Sequence, residues 1–282
     1  MQKTISEIIR CSGHGVHSNK TTTLTFKPAP ADNGIIFVRT DLSEDNKIKA
    51  HYLNVCDTKL STTIQNTHNV KVSTIEHLMA ALWGNNIDNI IIEIDNEEVP
   101  IMDGSSQSFV EIIQQVGIQK QESPKKTLKL LREIQVTEGE CKIIAKPSEQ
   151  LRLEVDIDFA HVAIGKQNHS CTGQEIFLQE IANARTFGFL KDLEMLQKMG
   201  LAKGASLENT IGIDDKRIMN PEGVRYNNEF ARHKLLDLIG DLFTCGGNFI
   251  FDLHGYKTSH HLNNTFLRKL FDSTDNYQWI TS

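Results

Sequence analysis

No stretch of this chain is both long and apolar enough to span a bilayer, which takes about 20 consecutive apolar residues. The opening residues, Met1-Gln-Lys-Thr-Ile-Ser-Glu7, have no apolar h-region, so a secretory signal is not expected. Cysteine is scarce. Cys11, Cys56, Cys141, Cys171 and Cys245 are odd in number, widely scattered and form no C-x-x-C pair. That excludes a disulfide framework and predicts free thiols in a reducing, cytoplasmic setting. Positive charge is in deficit, with 30 Lys and Arg against 36 Asp and Glu. A net charge of −6 argues against a nucleic-acid partner, whose affinity comes mainly from cations on phosphates. A phosphate-bearing small molecule needs only a local cluster and stays open. Histidine is plentiful, with 11 residues, so a metal site here would draw on histidine first.

The pattern of elements is mixed. Thr21–Phe26 and Ile35–Arg39 read as paired strands around a turn at Pro28–Gly34. His14 and His17 flank the glycine before them and read as solvated loop residues, since nothing orients them for a metal. Ser73–Trp83 reads as a helix, with Ser73 and Glu76 spaced as a capping box and Gly84 as its stop. A buried-type strand follows at Asn89–Ile94, then a loop and a helix over about Ser106–Val116. The polar, aperiodic Gln119–Lys126 divides the chain into domains 1–124 and 125–282. Strands are expected at Leu128–Ile134, Cys141–Ala145 and Leu151–Phe159, and helices at Gln174–Ala184 and Leu190–Met199. A strand at Asn248–Leu253 and a last helix at Leu262–Phe271 complete the chain. Residues 73–116 and 229–271 share one order: helix, glycine, strand, loop, helix. The expected fold is therefore α+β, with two similar halves, each a β-sheet layered with helices, facing one another across an active site.

The most informative stretch is Phe230-Ala-Arg-His-Lys-Leu-Leu-Asp-Leu-Ile-Gly-Asp241. Leu235, Leu238, Ile239 and Leu242 mark an apolar helix face, while His233, Asp237 and Asp241 stand at i, i+4 and i+8 on a separate polar stripe. Taken alone, that stripe reads as a solvated face with an ordinary His–Asp pair. Glu76-His77 lies in the matching helix of the other half. Two histidines and one aspartate leave open coordination positions, as in catalytic zinc sites, and also suit ferrous iron. A neighbouring carboxylate, Glu76, is placed to take a proton from water.

Long motifs in a fixed order then identify a resemblance. They are Gly13-His-Gly-Val-His-Ser-Asn-Lys20, Ser73-Thr-Ile-Glu-His-Leu-Met-Ala-Ala-Leu82, Pro100-Ile-Met-Asp-Gly-Ser105, Ala184-Arg-Thr-Phe-Gly-Phe189, Arg232–Leu242 and His260-His-Leu-Asn-Asn264. Over nearly its whole length the chain resembles the UDP-3-O-acyl-N-acetylglucosamine deacetylases, the zinc amidases of lipid A synthesis. The resemblance implies one Zn2+ per chain, held by His77, His233 and Asp237. It implies Glu76 as general base and His260 as the cation that stabilises the oxyanion and protonates the leaving amine. Asp241 would keep His260 cationic, and Thr186 would donate to the tetrahedral intermediate. Lys234 and Phe187 would help hold the sugar nucleotide, with Lys234 and Lys203 as cations for the diphosphate. Leu190, Leu193, Leu201, Ala202, Ser206, Leu207 and Thr210 would fall along the passage for the fatty chain.

The implied partner is a small molecule, acylated UDP-N-acetylglucosamine, acted on by a cytoplasmic monomer without a membrane span. Ser259, His261 and Ala205 depart from the family pattern, where glycine, alanine and glycine are common, so the turn before His260 is expected to differ slightly. His14, His254 and His261 read as bystanders. Two other readings compete: a sugar-nucleotide-binding protein without catalysis, and a ferrous oxygenase. All the expected ligands and acid–base groups are present, which disfavours the first. The many capped helices disfavour the second.

Overall fold

A computed structural model describes residues 1–281. Two five-stranded sheets frame it. In the first half, strands Ile9–His14, Thr21–Pro28, Ile35–Arg39, Lys47–Lys49 and Ile90–Ile94 stand in the spatial order first, second, fifth, third, fourth. In the second half, Ile134–Glu138, Cys141–Lys146, Arg152–Asp158, Lys166–Cys171 and Asp252–Tyr256 repeat that order. The senses repeat too. Neighbours are antiparallel except the third and fifth strands, which run parallel. The two similar α+β halves expected from the element order are the observed architecture. Alternation builds each inner face: Leu24, Phe26, Ile35, Phe37, Ile90, Ile92 and Ile94 are buried at period two.

Among the described residues six helices accompany the sheets: α1 (Glu76–Gly84), α2 (Gln107–Gln115), α3 (Gln174–Ile176), α4 (Leu190–Lys198), α5 (Glu229–Phe243) and α6 (His260–Leu270). α5 and α6 pack on strands of the second sheet, and α1 packs along α5, so the two halves meet helix to helix. This contact overturns the solvated reading of the polar stripe. Every residue of α5 except Arg232 and Lys234 is buried, including His233, Asp237 and Asp241. Polar groups are taken out of water there because α1 covers them.

Several local expectations give way to tertiary structure. Thr21–Pro28 and Ile35–Arg39 are not paired with each other, because Ile90–Ile94 is inserted between them. Ser73 and Glu76 do not form a capping box. Thr74 turns the chain with φ 59°, the helix begins at Glu76, and Ser73 bonds the Glu97 carbonyl instead. Gly84 is the last helical residue rather than the stop. Its bare Cα admits Phe177, whose ring would lie 2.4 Å from any Cβ there. The expected helix at Gln174–Ala184 is one α turn followed by a π turn, Phe177–Ile181. Leu128–Ile134 divides into Lys126–Leu130 and Ile134–Glu138, and Asn248–Leu253 into Asn248–Ile250 and Asp252–Tyr256. In both cases the first piece joins a small three-stranded sheet and the second joins the main one.

Candidate active site

The site forms where α1, α5 and α6 converge. Gly240 sets the distance between the first two. A Cβ at this position would stand 2.0 Å from the Glu76 carbonyl oxygen, so only glycine lets the helix backbones come this close. The approach brings His77 of one half to His233 and Asp237 of the other. Their ligand atoms all lie within 4.8 Å of one another.

Tautomer and charge in this cluster follow from its partners. His233 Nδ1 lies 3.0 Å from the Ala184 carbonyl oxygen, so Nδ1 carries the proton and Nε2 keeps its lone pair. Burial pushes the His233 pKa down to about 3, so the ring is neutral. Burial alone would raise Asp237, but the Lys234 ammonium beside it outweighs burial and holds this carboxyl well below its ordinary value. Lys234 Nζ donates to Asp237 Oδ2 at 2.7 Å. Asp237 Oδ1 faces His233 Nε2 at 3.4 Å and His77 Nε2 at 3.6 Å. A lone pair of a neutral imidazole thus points at a carboxylate oxygen in a buried site. That is unfavourable unless a cation lies between them. Two imidazoles and one carboxylate match the donor set of an open zinc site, so these residues fit a divalent metal.

Beside them is a second group. Glu76 Oε2 accepts from the Thr62 N–H at 2.9 Å, and burial pushes its pKa up. His260 is the first residue of α6, whose N-cap is Ser259: the Ser259 hydroxyl accepts from Leu262 N–H. Ser259 has φ −141°, an extended conformation open to any residue, so serine fits the turn before His260. His260 Nδ1 lies 2.8 Å from Asp241 Oδ2, and Nε2 faces Glu76 Oε1 at 3.8 Å. Burial lowers the His260 pKa, but Asp241 and Glu76 outweigh it and raise it to about 9.

Two cavities meet over these groups, sharing Leu60, Glu76, His77, Thr186 and Phe187. The more polar one, about 340 Å³, also contains His233, Lys234, Asp237 and His260. The other, about 400 Å³, is mainly apolar and includes Leu190, Leu193, Ala202, Ser206, Leu207 and Thr210. Thr186 is fixed on both sides: its N–H bonds the Gly104 carbonyl, and its own carbonyl accepts from Ile211. Leu201 and Lys203 do not line either cavity. Lys257 does line the polar one, with Thr258, Asp158 and Phe159, and none of these four was singled out in the sequence. Lys257 stands three residues before His260, which was the available signal. His17 lines the apolar cavity, so it is not the solvated loop residue expected. Nor is Leu60, at φ 64°, marked by any periodicity.

A paired α+β fold, with a buried His–His–Asp set and an opposed carboxylate and histidine over a cleft, defines a hydrolytic enzyme. The family model described as UDP-3-O-acyl N-acetylglycosamine deacetylase matches residues 2–272, and the chain belongs to that family. It is similar to the UDP-3-O-acyl-N-acetylglucosamine deacetylase of Histophilus somni (strain 129Pt), with 43% identity over 283 residues, 99% of this chain and 93% of the relative.

Proposed function

We propose that this deacetylase hydrolyses the N-acetyl group of UDP-3-O-(3-hydroxyacyl)-N-acetylglucosamine in lipid A biosynthesis, releasing acetate and a free amine. His77, His233 and Asp237 hold one Zn2+. The observation that carries this reading is the His233 Nε2 lone pair facing Asp237 Oδ1 at 3.4 Å in a buried site. Bound zinc supplies a concentrated positive charge that acidifies water to a pKa of about 7 and polarises a carbonyl.

The remaining steps fall to the chain's own groups. Glu76 takes the proton of the attacking water. Its buried position favours holding that proton, and the Thr62 N–H keeps the carboxylate aimed. The His260 imidazolium, sustained by Asp241, faces Glu76 across the cleft and stabilises the developing oxyanion. It then hands its Nε2 proton to the leaving nitrogen. Thr186 donates to the same tetrahedral centre. Lys234 and Phe187 help hold the sugar nucleotide, and Lys257 adds a cation where the sequence had offered Lys203. The fatty chain lies in the apolar cavity along Leu190, Leu193, Ala202 and Ser206. Residues 1–124 and 125–282 act as the two domains, in a cytoplasmic monomer.

The test is acetate release from the acylated UDP-sugar before and after chelation, with zinc restored. Release that stops on chelation and returns at up to one zinc per chain supports both reaction and cofactor. No release with any metal would refute the reading.

A further inference from the structure

One buried carboxylate near the cleft takes no part in the chemistry above. Glu98 is 3% exposed. Its Oε1 accepts from His17 N–H and its Oε2 from Ser18 N–H, both at 2.7 Å, and the Thr74 hydroxyl faces Oε1 at 3.4 Å. These donors are all uncharged. A buried carboxylate is tolerated only when well hydrogen-bonded, and short bonds to an ionised acceptor fix the atoms that make them. Here they fix the loop 15–18. The fit is close: a Cβ on Gly15 would lie 2.1 Å from Glu98 Oε2.

That loop carries a loop of the other half. Gly204 N–H donates to the Val16 carbonyl at 3.0 Å, and Lys203 N–H to the His17 carbonyl at 3.2 Å. Ala202 N–H donates to His17 Nδ1 at 3.3 Å. A Cβ on Gly204 would lie 2.3 Å from the Gly15 carbonyl oxygen. Glu98, loop 15–18 and loop 202–204 are therefore one stack across both halves. Val16, His17, Ala202 and Ala205 line the apolar cavity, and Glu98 does not. Glu98 is itself anchored by a parallel bridge to Ser73, just ahead of Glu76.

We propose that Glu98 is a positioning residue for acyl-chain recognition: by pinning loop 15–18 it holds the 202–206 wall against the apolar cavity and so sets how tightly a long chain is gripped. It rests on the reading that the acyl group occupies that cavity. Glutamine at 98 keeps the size but offers one acceptor where two N–H groups converge, and its NH2 meets the other N–H donor to donor.

The experiment compares a long 3-hydroxyacyl substrate with a 3-O-acetyl analogue, in zinc-loaded enzyme, per mole of bound metal. Glu98→Gln should raise KM for the long chain about tenfold, while KM for the acetyl analogue and kcat for either move about twofold or less. Gly204→Ala opens the same contact from the other side without touching Glu98, and should reproduce the signature if Glu98→Gln folds poorly. A purely structural Glu98 would lower Tm and the active fraction with the long-to-short KM ratio unchanged. That ratio holding at the parent value in both variants overturns the proposal. A parent enzyme that does not distinguish the two substrates overturns the cavity reading, and the role of Glu98 with it.

Discussion

Asp241 holds His260 by a 2.8 Å contact from Oδ2 to Nδ1, and the same carboxylate accepts from Asn263 Nδ2 at 2.8 Å and from the Thr62 hydroxyl. The carboxylate is thereby fixed before it orients the ring. The His260 pKa is raised from 6.5 to about 9, so the imidazolium adds stability that is fully present below pH 6.5 and lost as pH rises through about 9. Asp241→Asn removes the charge and should move the basic limb of the kcat/KM–pH profile to lower pH. An unmoved limb would assign that limb to another group. His260→Ala should lower kcat far more than it raises KM.

Gly240 makes a sharper steric prediction. In Gly240→Ala the new methyl meets backbone atoms of Glu76, which cannot swing aside as a flexible side chain can. The helices must separate, at a cost of about 1–3 kcal/mol in stability. Separation also pulls His77 from His233 and Asp237. Bound metal and turnover should therefore fall together, read by metal analysis and acetate release. A variant with full metal and activity would mean that α1 and α5 can part without harm.

Glu76→Gln separates proton transfer from metal binding. Its amide oxygen can still accept from the Thr62 N–H, so the helix start is kept, but it cannot take a proton. Turnover should drop by about 10² to 10⁴ with metal content intact. Near-parental turnover would remove Glu76 from the reaction.

These predictions draw on residues of unequal legibility. The register of α5, and with it His233, Asp237 and Asp241, is open in the sequence because 3.6-residue periodicity is local. The burial of that same stripe is not, since the covering helix comes from some 150 residues earlier. The strands expected at Thr21–Phe26, Ile35–Arg39, Asn89–Ile94, Cys141–Ala145 and Leu151–Phe159 lie close to observed ones, but Ile9–His14, Lys47–Lys49 and Lys166–Cys171 of the main sheets have no counterpart among the expectations, and the pairing does not follow them. The hairpin expected at Thr21–Arg39 failed because the non-local Ile90–Ile94 competes for both edges and wins. The Ser73 capping box failed because Thr74 takes a left-handed turn to bring Ser73 to Glu97. Lys257 and Leu60 reach the cleft from loops, where no period marks direction. The two-halves layout is legible only as a repeated order of elements; that both sheets share one strand order depends on pairings between strands far apart in the chain, which no local pattern marks.

Metal linkage gives the last prediction. In metal-free protein, His233 Nε2 and Asp237 Oδ1 stay opposed at close range in a buried site, a standing cost that a cation relieves. Zinc at about a hundredfold excess over Kd should stabilise the fold by about 2.7 kcal/mol, raising Tm by about 5 °C. His233→Ala removes one ligand and one side of the opposed pair. Its metal-free form should lose less stability than an ordinary large-to-small core change costs, because the repulsion leaves with the ring. Its zinc-induced rise in Tm should vanish, and Asp237→Ala should behave alike in zinc response. Thermal denaturation with and without zinc measures all of this. A full-sized zinc shift in His233→Ala would place the metal elsewhere, and would take the proposed ligand set with it.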